Sequence, residues 1–133
     1  MNETIKTQLN HRTIRAFEEK PLTKEEVDLL VEVAQRTASS MYMQAYSIIS
    51  VTDPELKKAL AAVSGQPYVA NNGHLFVFVV DQRRNTEIAK ALGQEVGVQG
   101  SADRFVSGLT DAVIAAQNVV VAAESLGMGT VYL

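Results

Sequence analysis

A chain of 133 residues, 47% hydrophobic and 20% charged, has the size and composition of one globular domain with a real core, and this excludes a disordered chain. Twelve basic and 15 acidic side chains leave a net charge of −3, which argues against a domain built around nucleic acid. The chain has no cysteine, which excludes disulfides, thiolate-held zinc or iron–sulfur clusters and thiol catalysis, and fits a reducing cytosol.

In chain order, Glu3–Leu9 predicts a short helix, followed by the basic turn His11-Arg12-Thr13-Ile14-Arg15 and then Phe17. Thr23 and Glu26 have capping-box spacing, and Val27, Leu30, Val31 and Ala34 make an apolar stripe at i, i+3, i+4, i+7. Together they predict a helix over 24–36. Residues 37–44 form a polar, uncharged loop, and Tyr46–Val51, rich in β-branched side chains, predicts a strand. Asp53 and Pro54 are an N-cap and a first helical residue for a helix running to about 63 and stopping near Gly65.

After the loop Gly65-Gln66-Pro67-Tyr68, the nearly unbroken apolar run 74–80 predicts a strand buried on both faces. A helix over 85–92 follows, and then a glycine-rich stretch, 93–100, read as a mobile loop. Residues 103–126 predict the longest helix, uncharged from 112 through 123, and a helix apolar on nearly all sides is expected to be buried on nearly all sides, within this chain or against another subunit. Gly127 ends it, and 129–133 reads as the opening of another strand. The order predicts an α+β domain. The start Met1-Asn2-Glu3-Thr4 lacks the build of a signal peptide, and the run 112–123 is shorter than the roughly 20 residues a bilayer needs.

Three segments offer chemistry. His11, Arg12 and Arg15 bring cationic donors within five residues, with the Thr13 hydroxyl between them; this pattern suits a phosphate, though spacing alone favours a solvated basic turn or a pair of surface salt bridges. The Ser39-Ser40 loop precedes a strand, with Gln44 behind it, and serves either a ligand or a turn. Gln66 offers a donor and an acceptor fit for the edge of a heteroaromatic ring, with Tyr68 beside it; the same residues suit a helix-to-strand turn. His11 and His74 have no metal-ligand spacing, and neither a dinucleotide fingerprint, a phosphate-binding P-loop nor a nucleophile elbow is present.

Taken in order, several segments resemble the FMN-dependent nitroreductase family. They are His11-Arg12-Thr13-Ile14-Arg15-x-Phe17 with Pro21, Ser39-Ser40 with Gln44, Ile48-Ile49-x-Val51-Thr52-Asp53, Gly65-Gln66-x-x-Val69, Ala115-Ala116-Gln117-Asn118, and Ala122-Ala123-Glu124-Ser125-Leu126-Gly127-x-Gly129-x-Val131-Tyr132. The branch resembled is the NADPH-dependent, oxygen-insensitive nitroreductases and flavin reductases. The resemblance covers essentially the whole chain. It implies an α+β fold with a mixed central sheet flanked by helices around a long buried helix. It also implies a cytoplasmic homodimer with FMN held non-covalently at the interface, and two-electron transfer from NADPH to nitroaromatics, quinones or free flavin. By the same resemblance His11, Arg12, Thr13 and Arg15 would hold the FMN phosphate and ribityl chain, and Ser39 would bond the cofactor. Gln66 and Tyr68 would lie at the isoalloxazine edge, with the backbone around Tyr132 and Leu133 beside the rings. No residue is expected to act as an acid, base or nucleophile, and neither a metal, a membrane nor a nucleic-acid partner is implied. Family members continue beyond the Val-Tyr-Leu segment with further strands, a basic segment that reads NADPH, and an extension around the partner subunit. Residues 1–133 are therefore expected to be the N-terminal portion of one such domain, incomplete at the C-terminus. The alternative is a non-catalytic flavin-binding or dimerisation fragment.

Overall fold

The computed structural model describes residues 1–98 and 100–133; Gln99, within the glycine-rich stretch expected to be mobile, lies outside the described residues. Helix α1, Glu3–Leu9, starts where the Asn2 side chain accepts from the Ile5 N–H at 3.0 Å. Helix α2, Lys24–Gln35, carries the full capping box: Thr23 Oγ1 accepts from the Glu26 N–H at 3.2 Å and Glu26 Oε2 accepts from the Thr23 N–H at 2.7 Å. Strand β1 is Tyr46–Val51. Helix α3, Pro54–Ser64, begins at Asp53, which accepts from the Glu55 N–H at 2.8 Å, and ends at Gly65 with φ of 67°, a left-handed cap that glycine adopts without steric cost. Strand β2, Leu75–Val80, helix α4, Arg83–Ala91, and helix α5, Ala102–Ser125, complete the order.

β1 and β2 form a two-stranded antiparallel sheet, in register from Tyr46 opposite Val80 to Val51 opposite Leu75. α5 lies between that sheet and α2 and packs on both. The core is built from Leu30 and Ala34 of α2, Tyr46 of β1, and Ala112, Ala115, Val119 and Ala123 of α5, with Phe76 and Phe78 of β2 packed against it. Small residues on α5 let the neighbouring layers approach closely. At Gly108 an added Cβ would sit 2.8 Å from Val80 Cγ1 and 3.2 Å from the Ala45 carbonyl oxygen. The Tyr46 hydroxyl, buried in this layer, donates to the Ala34 carbonyl at 2.8 Å and so ties β1 to α2.

Two expectations change, and a third, the burial of α5, is met on one side within this chain. The segment 129–133 forms no strand; its one ladder contact is a parallel bridge between Thr130 and Thr13, with the Ile14 N–H donating to the Thr130 carbonyl at 2.9 Å. Apolar, β-branched sequence permits pairing, but a ladder needs a neighbouring edge, and here only residues 13–14 supply one. Among the described residues the sheet itself is antiparallel only, and the parallel bridge stands apart from it. β2 is not buried on both faces: Phe76 and Phe78 face the core, while Val79 is exposed. Finally, α5 buries one side only. Asp111, Ala112, Ala115, Ala116, Val119, Val120 and Ala123 are inside, whereas Phe105, Val106, Leu109, Val113 and Ile114 are exposed. α5 is long and apolar enough to cross a membrane by length and composition, but its inward face packs on α2 and the sheet.

Candidate functional site

The basic turn is fixed by the far end of α5. His11 Nδ1 lies 2.7 Å from Glu124 Oε1, and the same carboxylate oxygen accepts from the Thr130 hydroxyl at 2.9 Å. A carboxylate only accepts, so His11 donates through Nδ1, which leaves Nε2 for solvent or a ligand. The Thr13–Thr130 bridge adds a backbone tie, and the Ile14 side chain closes over Gly129, where an added Cβ would come within 2.9 Å of it. Held in this way, the turn leaves Arg12, Thr13 and Arg15 exposed, and among the described residues neither arginine makes an ion pair or a side-chain hydrogen bond. Two unspent guanidinium groups on either side of a hydroxyl are a donor set that fits a phosphate dianion.

Phe17 carries this segment to the second one. Its ring meets that of Tyr68 at 6.4 Å between centroids, tilted by 56°. Tyr68 sits in a short 3-10 turn, Pro67–Val69, preceded by Gln66, which is exposed. Val69, the last residue of the turn, is fully buried. Phe17, Tyr68, Tyr132 and Leu133 all line an open cleft of about 920 Å³ that is walled by Phe76 and Phe78 of β2 and Leu109 and Val113 of α5. Tyr132 donates to Gln117 Oε1 over 3.4 Å, and partial burial pushes its phenol pKa up. His11, Arg12, Thr13, Arg15 and Gln66 lie outside the cleft lining.

Ser39 stands apart. The loop that carries it is bound to the opposite half of α5: Asp111, only 1% exposed, accepts from the Ser40 N–H at 3.0 Å and the Ala45 N–H at 3.2 Å. Arg84 donates to the Gln44 carbonyl and Asn85 to the Met43 carbonyl, which restrains a loop whose Met41, Tyr42 and Gln44 all have positive φ. Asp111 and Glu124 are 13 residues apart on one helix, roughly 20 Å. A single chain therefore does not bring Ser39 to the basic turn. Ser39 Oγ is buried with no hydrogen-bond partner among the described residues. A Ser hydroxyl without a protein partner keeps its full hydrogen-bonding capacity for one that is brought to it.

Residue-type reasoning missed Glu124, Asp111, Lys57 and Asn72. The two carboxylates had a signal: they bound the uncharged run of α5, and a charge at each end of such a run must find a partner inside the fold.

The comparisons with known proteins fit this geometry. Residues 9–133 match the Nitroreductase family. The chain is 48% identical over 135 residues to a Bacillus subtilis FMN reductase (NADPH), covering all of this chain and 54% of that protein. It is 45% identical over 124 residues to a Staphylococcus epidermidis NADPH-dependent oxidoreductase, covering 92% of this chain and 49% of that one. Among solved structures, the B. subtilis NfrA1 nitroreductase superposes with a TM-score of 0.93 at 48% identity, over 96% of this chain and 52% of that chain. The Vibrio harveyi NADPH:FMN oxidoreductase, solved in complex with NAD+, superposes with a TM-score of 0.88 at 36% identity, over 96% and 54%. The chain thus spans about half the length of the relatives it matches.

Proposed function

The chain belongs to the nitroreductase family, and from that premise we propose that it is part of an FMN-dependent NAD(P)H oxidoreductase, with NADPH as electron donor. The observation that carries the reading is the exposed Arg12–Thr13–Arg15 set on a turn fastened by Glu124 and Thr130, with both guanidinium groups uncommitted. Residues 1–133 are read as a nitroreductase-like unit without an internal boundary, since α5 packs on α2 and on the sheet.

In this reading Arg12 and Arg15 pair with the FMN phosphate, the Thr13 hydroxyl donates to it, and His11, oriented by Glu124, meets the phosphate or ribityl chain through Nε2. Gln66 and Tyr68 sit at the edge of the isoalloxazine, where the Gln66 amide donates to the ring and stabilises negative charge as it develops there. The backbone at Tyr132 and Leu133 flanks the ring system. Bound FMN supplies the redox chemistry, two-electron transfer from NADPH to an acceptor, and nitroaromatics, quinones and free flavin are the acceptor classes. The protein binds, orients and sets the charge around the ring, so no acid, base or nucleophile is assigned.

Ser39 joins this site if a second copy supplies it, because within one chain the anchor of its loop, Asp111, is roughly 20 Å along α5 from Glu124, which fixes the basic turn. The exposed apolar side of α5 supports a homodimer with FMN at its interface; the cytoplasmic location is proposed from the family resemblance alone. Titrating the full-length apoprotein with FMN tests the reading. Saturable binding with a bound-flavin spectrum is expected, and Arg12→Ala and Arg15→Ala should each weaken it by about tenfold or more. A full-length, folded protein that takes up no FMN overturns it.

A further inference from the structure

The Gln66–Tyr68 turn is braced from behind by a buried cation. Lys57 of α3 is only 9% exposed, yet no carboxylate partners it among the described residues. Its Nζ donates to two oxygens of one residue, the Asn72 carbonyl at 3.2 Å and Asn72 Oδ1 at 3.0 Å. That settles which way the Asn72 amide faces, because the flipped amide would set its NH2 against the ammonium group. Asn72 Nδ2 is thereby directed at the turn, where it donates to the Tyr68 carbonyl at 3.1 Å and the Val69 carbonyl at 2.8 Å. These two carbonyls end a three-residue 3-10 turn, too short to satisfy them itself.

A buried cation held only by neutral oxygens is a costly way to fill space; an apolar side chain of similar length packs at lower cost. What the cation adds is direction. We propose that Lys57 is a positioning residue for the Gln66–Tyr68 turn, holding through Asn72 the backbone from which Gln66 and Tyr68 reach the flavin edge. This rests on the FMN reading above. Lys57 does not itself line the cleft or reach the basic turn, but Asn72, which it holds, is part of the cleft lining, so Lys57 acts through that residue. The brace also reaches the cleft by a second path: Tyr68 packs at a tilt against Phe17, so a shift of the turn would move the ring that adjoins the basic segment.

The test compares Lys57→Met, Lys57→Arg, Asn72→Leu, Gln66→Ala and the Lys57→Met/Gln66→Ala double variant in the full-length protein. It reads FMN affinity, the midpoint potential of bound FMN and the thermal unfolding midpoint. Lys57→Met is expected to weaken FMN binding by about tenfold and to make the potential more negative, as Gln66→Ala does, because a donor is withdrawn from the reduced ring. Lys57→Arg should recover most of the affinity, since a guanidinium donates to the same two oxygens. In the double variant the two changes should not add. Asn72→Leu leaves Lys57 in place and should reproduce the shift if Lys57→Met fails to fold. A lowered unfolding midpoint with wild-type affinity and potential in both Lys57→Met and Asn72→Leu overturns the proposal and leaves the FMN reading intact. Additive effects, or a Gln66→Ala variant indistinguishable from wild type, overturn it in the same way. Failure of the wild-type protein to bind FMN overturns the reading and the proposal together.

Discussion

Single side chains decide how the two candidate segments are held. Glu124 is 12% exposed and accepts from both His11 and Thr130, so it joins the N-terminal turn to the segment after α5. Glu124→Ala removes both bonds and is expected to lower stability by about 1–3 kcal/mol in urea unfolding, with Thr130→Val, which removes one, costing less. A stability unchanged in Glu124→Ala would show that the turn is held by its backbone bridge alone. His74 gives a pH signature. Its Nε2 lies 2.6 Å from the Ser50 hydroxyl, its ring is 4.3 Å from that of Phe76, and burial first and the Lys57 charge second lower its pKa below 6.5. Well above 6.5 neither the folded nor the unfolded chain binds this proton. As pH falls below 6.5 the unfolded chain takes it up first, so stability declines on acidification until the folded-state pKa is passed. Unfolding midpoints measured from pH 7.5 to 5 should show that decline, and His74→Gln should flatten its His-dependent part. An identical slope in both proteins would assign it to other groups.

At the scale of elements, caps and periodicity carried most of the fold. The Thr23–Glu26 box, Asp53-Pro54 and the glycine stop at Gly65 are local hydrogen-bond and dihedral requirements, and α2, α3 and β1 lie where those signals put them. What sequence alone could not say is what covers an apolar face. α5 and β2 are apolar on both sides, and the run of Ala and Val does not state which side meets α2, which meets the sheet, and which meets nothing in this chain. The site had a similar split. The cationic turn was legible because three basic residues stand within five positions, while the pairing of its His11 with Glu124 spans 113 residues and leaves no local trace. Gly108 shows how tightly α5 is seated. Replacing a mid-helix glycine by alanine ordinarily gains about 1 kcal/mol of helix propensity. Here the new methyl would lie 2.8 Å from Val80 Cγ1 and 3.2 Å from the Ala45 carbonyl, and a backbone oxygen does not yield as a flexible side chain does. Gly108→Ala is therefore expected to destabilise by about 1–3 kcal/mol net. A stabilised variant would mean that α5 slides on the sheet more freely than this contact allows.

For the whole molecule, the distribution of site residues and the distribution of apolar surface point the same way. The Ser39 loop is anchored at Asp111 and the basic turn at Glu124, at two stations of one rigid helix, so no side-chain rotation in one chain closes the gap. Near the Asp111 station lie the exposed Phe105, Val106, Leu109 and Val113, together with Met41 and Tyr42, the latter 80% exposed on a loop restrained in left-handed geometry. Strained loop residues fixed by Asp111, Arg84 and Asn85 are preorganised to meet a surface and lose little entropy when they do. If two copies pair through this side, each would carry its Ser39 loop towards the other's basic turn, and cofactor binding and dimerisation become one linked equilibrium. Val106→Glu places a charge on that side without touching the buried face of α5. The full-length wild type is expected to sediment as a dimer and the variant as a monomer that binds FMN at least tenfold more weakly, with the loss reduced as protein concentration rises. A monomeric variant with wild-type FMN affinity would confine the cofactor to one chain and remove Ser39 from the site.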